Sequence, residues 1–524
     1  MSKLSLSIDL FEPGMDLFFR AGLAGLVSTL DWIDRNVASE DRPDGTWSHD
    51  DRRLTIEALD ARAFLNRLYE ISFQIDSNGM FYFPGKFPYD LPRMEVRAIL
   101  HKALLSTYFM HMPSTCGGLV KDAKGKPKPK MTVTYVLDDD KNAILSYPVF
   151  SKLELINKYK DLLTKKGVLS TKPIEYASSS YPGAFKTHQV YKNTGVSDTA
   201  AHVLCLHFSI VACLSLCGPR KKVGDKMATQ GVLVVPEIDN LNDVSDVIDL
   251  MIPSTIADCY VGGCSDAAFQ TEVKLRLLKK TGSVPGCVGI TFDKKPWNEK
   301  MLVRDAIVRV EPDNHELEAY ESIMANMPVR HIKIKKEGND SYFFITGVCR
   351  TLFANNMASG RIWYYDYHKL LSDKDKKKSA NYEHKELKMV IDKQQGKGLL
   401  TPCEVALREI INEALHRNFG KLGSNSNGNK AKLWKDIERL QDRLQREWIR
   451  AGSSQIFQNS FVKFASEVGH LESMKKNLEL AWSFVRDDWR GARNFSLIAL
   501  SALSAYQSPV SQETVTEPAT KNGE

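Results

Sequence analysis

The chain has 524 residues, enough for about two to four domains, and its 43% apolar content suffices for ordinary globular cores, which excludes a disordered protein. Its 71 basic and 64 acidic residues leave a net charge of +7, so local clustering rather than the total has to identify any nucleic-acid surface. Met1–Asp9 carries no apolar targeting core, and no run of about 18 uncharged apolar residues exists, so a cytoplasmic protein without a membrane span is expected.

The first element is an alternating strand through Leu6, Ile8 and Leu10, broken by Pro13 and Gly14. A helix follows, with Leu17, Phe18, Ala21, Leu23, Ala24, Leu26, Val27 and Leu30 as its apolar positions. Gly22 and Gly25 permit close backbone approach on that helix. Residues 38–53 form a polar loop with a Pro-Asp-Gly turn, and Ala58–Tyr69 reads as helix. Tyr82–Pro92 is turn-rich, and Arg93–Met112 has helical spacing. A Gly-Gly pair (Gly117, Gly118) leads into a lysine-rich arm and then the β-rich run MTVTYVL. Residues 138–141, DDDK, make a polar turn. A helix is expected at Leu153–Leu163, then the loop-rich stretch SSSYPGAFKTHQVYKNTG.

Ala200–Cys217 reads as a buried helix or helix–strand pair, Gln230–Pro236 as a buried strand and Val244–Ile252 as helix. Ala267–Lys280 is a helix, Met301–Val310 a strand, and His331–Lys336 a half-exposed strand. Residues 372–398 hold many lysines and few large apolar residues, the composition of a linker. Beyond it the spacing predicts helices at Pro402–Asn418, Lys430–Ala451, Ser454–His470, Met474–Arg486 and Ala492–Tyr506. The expected class is α+β. A mixed α/β region spans 1–371, a Lys-rich linker 372–398, a helical bundle 399–506 and a disordered Pro/Thr/Glu-rich tail 507–524.

Catalytic signatures such as G-x-S-x-G, a phosphate-binding Gly-rich loop or H-E-x-x-H are absent from the sequence. No cofactor is expected. Cys213, Cys217, Cys259 and Cys264 have spacings too loose for a zinc knuckle, so buried thiols and no metal are expected. Basic clusters carry more information. Lys121, Lys124, Lys126, Lys128 and Lys130 share an arm that Pro127 and Pro129 keep extended, a spacing suited to following phosphates. Arg220, Lys221, Lys222 and Lys226 form a second cluster, expected on an exposed turn. His188 and Asn193 lie among tyrosines on a loop, suited to base-edge or sugar contact. Arg439, Arg443, Arg446 and Arg450 share the 430–451 helix and make one flank positive.

The string DLFEPGMDLFFRAGLAGL (9–26) resembles the opening of large subunits of type I CRISPR Cascade complexes of the I-A/I-B-like branch. YPGAFKTH (181–188), GVLVVPEIDNLNDV (231–244), GGCSDAAFQTEVKLRLL (262–278) and MLVRDAIVRVEP (301–312) are similar to further segments of that family, in the same order. The resemblance implies a non-catalytic subunit. Its partners are crRNA, the backbone, crRNA-end and small subunits, target double-stranded DNA beside a PAM, and a helicase–nuclease recruited after R-loop formation. It also implies a separately initiated small-subunit product, for which Met389 is the candidate start. Two other readings stay open on sequence alone. One is the same subunit in a CRISPR-associated transposon, recruiting a transposition adaptor. The other is a cytosolic α/β enzyme with a site around His188, His202 and His207.

Overall fold

The computed structural model describes residues 3–87, 93–109, 131–136, 142–176, 197–223, 226–279, 286–295, 298–336, 339–426, 429–467 and 471–503. They form an α+β chain in two compact units. One comprises residues up to Pro312 together with His331–Ile345, and the other comprises Asp313–Arg330 and the residues from Thr346 onward.

The first unit opens with β1 (Leu4–Asp9), whose alternate residues Leu4, Leu6 and Ile8 are buried. Asp16 caps the next helix, α1 (Leu17–Asn36), by accepting from the amides of Phe18 and Phe19 at 2.9 and 3.0 Å. Strands β2 (Thr46–His49) and β3 (Arg53–Ala58) complete a three-stranded antiparallel sheet of order β1-β3-β2. The expected helix at Ala58–Tyr69 begins later, as α2 (Ala61–Ser72), because Asp60 caps it and β3 claims Ala58. Short strands β4 (Gln74–Ile75) and β5 (Phe81–Tyr82) pair ahead of α3 (Met94–Leu105). Strands β6 (Met131–Val136) and β7 (Asn142–Tyr147) form a hairpin. The helix expected at Leu153–Leu163 is a 3-10 segment, Glu154–Leu162. Strands β8 (Ile174–Glu175) and β9 (Ser197–Asp198) pair just before α4 (Ala200–Ala212).

Helices α1 and α4 cross at backbone contact. A Cβ on Gly22 would lie 2.0 Å from the Cys205 carbonyl oxygen, and one on Gly25 would lie 2.2 Å from that of Phe208. The glycines of the opening motif therefore set this helix spacing. Lys86 is buried behind it, and its ammonium donates to the carbonyls of Ile210 and Cys213 at the C-terminal end of α4. Burial pushes its pKa down to about 8.

Strands β10 (Leu214–Val223), β11 (Lys226–Glu237), β12 (Gly286–Lys295) and β13 (Asn298–Val310) form an antiparallel meander in that order. Between β11 and β12 lie α5 (Val244–Met251) and α6 (Cys264–Lys279). Gly231 on β11 lets Ser106, just past α3, approach one sheet face. Gly289 on β12 faces the opposite way and admits Cys264 at the start of α6. The sheet is thus covered on both sides, and Val232–Val235 are all fully buried. After α7 (Asn314–Asn326), a helix of the second unit, the chain returns to the first as the hairpin β14 (Arg330–Lys336) and β15 (Asn339–Ile345).

The second unit continues as α8 (Val348–Met357), α9 (Tyr367–Ser372), α10 (Lys374–Tyr382) and α11 (His384–Gly396). Then come α12 (Pro402–Asn425), α13 (Lys430–Arg450), α14 (Ser454–Ser466), α15 (Glu472–Asp487) and α16 (Trp489–Ala502). The segment 372–398, expected as a linker, is therefore helical. Ala380, Leu387, Val390 and Ile391 recur at helical spacing beneath the lysines and are buried. The helical unit also starts earlier than the expected 399, since it takes in α7 to α11. Met389 stands in the middle of α11, 46% exposed. Two buried or half-buried carboxylates cap helices far away in sequence. Glu383 accepts from the amides of Val348 and Cys349 at 2.9 and 3.0 Å. Glu413 accepts from the amides of Glu472 and Ser473 at 3.1 and 2.8 Å. The tail 507–524 lies outside the described residues.

Candidate nucleic-acid interface

The second basic cluster is not on a turn. Residues 220–223 continue strand β10 and pair with 226–229 of β11. Pro219 sits where the register shifts between Cys217 and Arg220, on the edge strand of the sheet, which is where a residue without an N–H is tolerated. Lys222 pairs with Met227 and Val223 with Lys226, so both lysines flank the hairpin tip.

Lys221 is held within the protein. Its ammonium lies 2.7 Å from Asp293 on β12 and 3.1 Å from Asp305 on β13, and Gln230 on β11 donates to Asp305 at 3.3 Å. Desolvation works against its charge, but the bonds to Asp293 and Asp305 outweigh it and hold its pKa above the ordinary lysine value. This polar belt ties all four strands together. Arg220 instead places its guanidinium 5.2 Å from the centre of the Phe343 ring on β15. The same end of the sheet carries Lys294, Lys295, Lys300 and Arg304 on β12 and β13, which sequence reasoning did not single out. Only residues 301–310 had been read as strand there, so the pairing that brings these positions beside β10 and β11 was not visible.

Helix α13 holds the other cluster. Asn429 caps it by accepting from the Lys432 amide at 3.0 Å. Ile437, Gln441, Leu444, Gln445 and Trp448 form its buried face. Arg439, Arg443, Arg446 and Arg450 lie on the opposite side and are exposed. Exposed Lys432 and Lys435 extend the same stripe toward the N-terminus, at steps of three and four residues. Six cations thus line one helix face over about 27 Å, at 1.5 Å per residue.

Their surroundings divide them. Arg439 pairs with Asp436 at 3.2 Å and Arg443 with Glu467 at 3.0 Å. Arg446 donates only to the Asp442 carbonyl oxygen, at 3.1 Å. Among the described residues no carboxylate lies within 4.0 Å of Lys432, Lys435, Arg446 or Arg450. These four carry the stripe's uncompensated charge. Trp434, 41% exposed, lies on the side of the buried face and not beside the stripe. Lys432 and Lys435 were missed from sequence, although counting helical steps back from Arg439 finds them. Lys121, Lys124, Lys126, Lys128, Lys130, His188 and Asn193 lie outside the described residues.

Two of the three histidines of the enzyme reading, His202 and His207, are engaged in the fold. His202 Nδ1 lies 2.8 Å from Asp198, and its Nε2 lies 2.8 Å from Glu12. His207 is buried with Nδ1 2.6 Å from the Tyr69 hydroxyl, and burial pushes its pKa down to about 3. Cys213, Cys217, Cys259 and Cys264 are buried free thiols. Among the described residues no group of three or more His, Cys, Asp or Glu side chains is placed to hold a metal. Nor is any described helix long and apolar enough to cross a membrane.

Comparison with known proteins gives the class. The DevT N-terminal domain matches residues 7–207 and the DevT C-terminal domain residues 400–523, together more than half of the chain. The CRISPR-associated protein Cas8a1/Csx13 of Myxococcus xanthus (strain DK1622) is 29% identical over 386 residues. That match covers 69% of this chain and spans 63% of the relative's length. These likenesses place the chain among the large subunits of Cascade-type CRISPR complexes. Within that class its two ends are similar to the two DevT domains, in order.

Proposed function

We propose that this large subunit works without catalysis, as a nucleic-acid-binding member of a type I, I-B-like complex in the cytoplasm. In this reading it assembles with crRNA and with the backbone, crRNA-end and small subunits. It recognises the PAM of target double-stranded DNA, promotes R-loop formation and recruits the helicase–nuclease. The α13 stripe carries the reading: cations aligned opposite a buried face, four of them without a carboxylate, are arranged to meet a polyanion rather than to stabilise the bundle. In the complex the stripe holds a displaced or target DNA strand. The hairpin tips bearing Lys222 and Lys226, and the arm Lys121–Lys130, supply further phosphate contacts.

The test is the salt dependence of DNA binding by the full chain in its complex. Replacing Lys432, Lys435, Arg446 and Arg450 by Ala weakens binding across all sequences. It also reduces the slope of log K against log salt by about 3, at roughly 0.7–0.9 per phosphate contact. Replacing the paired Arg439 and Arg443 gives a smaller change. An unchanged slope in the fourfold variant refutes the assignment.

A further inference from the structure

Strand β2 is an outer strand of its sheet, and its pairing shows which backbone groups are free. Asp50 donates to the Arg53 carbonyl at 3.0 Å, and β2 pairs with β3 as Thr46 with Glu57 and Ser48 with Thr55. Alternate residues of an antiparallel strand direct their N–H and C=O to opposite edges. Thr46, Ser48 and Asp50 therefore face β3, while Trp47 and His49 direct theirs outward. No backbone group of the described residues meets them there.

Two hollows adjoin the start of this strand and share Asp44, Gly45 and Thr46. The first, about 590 Å³, is lined by Asp34, Glu40, Arg42, Asp44 and Trp47. The second, about 330 Å³, is lined by Lys3, Asp44, Thr46, Glu57, Ala58 and Leu59, on the side of β3 and β1. The two hollows differ in chemistry. In the first, three carboxylates face one guanidinium. Asp34 already accepts from Arg42 at 3.0 Å and from the Trp47 indole at 2.8 Å, while exposed Glu40 and Asp44 have no ion pair among the described residues. The second has Leu59 at its rim, 70% exposed.

We propose that the β2 edge binds an extended segment of a partner protein by strand addition, with a basic side chain in the first hollow beside Glu40 and Asp44. Successive side chains of an added strand point to opposite faces, so alternate residues of the segment meet the acidic hollow. The free carboxylates select the basic residue. They also disfavour a second copy of this chain at the same edge, which would bring like charges together.

The test uses the full chain and capped peptides of about eight residues, one alternating Arg and Val and one alternating Glu and Val. Hydrogen exchange is followed at the amides of Trp47 and His49, and affinity is measured separately. The Arg–Val peptide slows exchange at both amides by about tenfold, and the Glu–Val peptide does not. The double substitution E40K and D44K, on exposed positions, weakens the Arg–Val peptide by about tenfold while leaving the melting midpoint unchanged. Binding without protection at Trp47 and His49, equal binding of the two peptides, or indifference to the double substitution overturns the proposal. So does protection that rises with the chain's own concentration in the absence of peptide, which assigns the edge to a second copy.

Discussion

Replacing Gly25 by Ala tests the account of the opening motif. In a solvent-facing helix this change is stabilising by about 1 kcal/mol, because alanine has the higher helix propensity. Here the new methyl carbon would stand 2.2 Å from the Phe208 carbonyl oxygen, where ordinary contact begins at 3.4 Å. The obstacle is backbone, so no rotamer change relieves it, and α1 and α4 must separate by more than 1 Å. Overpacking of this kind costs about 1–3 kcal/mol. With an obstacle that cannot turn aside, the upper end applies, and the net loss is about 2 kcal/mol after the propensity gain. Gly22→Ala, at 2.0 Å from the Cys205 oxygen, behaves alike, and the double variant is not additive because both act on one interface. Gly420→Ala and Gly423→Ala on α12 are the controls, since a Cβ at either meets no atom within 4 Å. Urea denaturation followed by circular dichroism separates the cases. The α1 variants lower the midpoint of the first unit, and the α12 variants raise that of the second. If Gly25→Ala stabilises the chain as Gly420→Ala does, the close helix contact is wrong.

Glu413 gives an acid-side prediction: its bonds from Ser473 and Glu472, with Arg417 beside it, hold its pKa down at about 2. A depressed folded-state pKa stabilises above the unfolded value and ceases to as pH falls through the folded one, so Glu413→Gln costs about 1–2 kcal/mol at neutral pH after allowance for solvent screening. The gap from the native chain closes between pH about 4.5 and about 2, as measured by denaturation at stepped pH. A second prediction concerns the start of the helical unit: a fragment 313–503 melts cooperatively, and one beginning at Met389 does not. The shorter piece lacks Tyr364, whose hydroxyl donates to Glu404 at 2.5 Å, and the buried Tyr367, Leu370 and Leu371. At about 1.5–3 kcal/mol per buried side chain that loss exceeds about 5 kcal/mol, comparable with the whole stability of a domain. Equal melting midpoints for the two fragments would refute this.

The parts of the fold legible in the sequence are those whose information is local. The β1–turn–α1 unit, the buried strand at 230–236 and the helices beyond 400 each declare a period and a boundary residue, as Asp16 and Thr401 do for α1 and α12. What stayed hidden depends on partners distant in sequence. Residues 220–223 have turn composition, yet pairing with 226–229 makes them strand. The lysines of 372–398 outnumber the buried positions that hold those helices in place. Glu383 and Glu413 look like surface carboxylates, and only the fold shows them capping helices 35 and 59 residues away. In the candidate interface, the arginines of α13 were legible from helical spacing. Which of them carry free charge was not, because Glu467, the partner of Arg443, belongs to the end of another helix.

That distinction also explains how a chain with a net charge of only +7 can carry surfaces suited to opposite partners. Formal charge counts Arg443 and Arg446 alike, but a cation already paired gains little from a phosphate, since it must first give up its carboxylate. On the function proposed above the α13 stripe works through its four unpaired members, and on the proposal for β2 the edge works through Glu40 and Asp44, the unpaired carboxylates of its hollow. The two surfaces differ in what remains when salt is added. Phosphate contacts release counterions and weaken steeply with ionic strength. A strand added to β2 keeps its main-chain bonds at Trp47 and His49 when the charges are screened, so its affinity falls less. If both proposals hold, salt separates the two surfaces within one protein: nucleic acid leaves first, and the extended peptide stays.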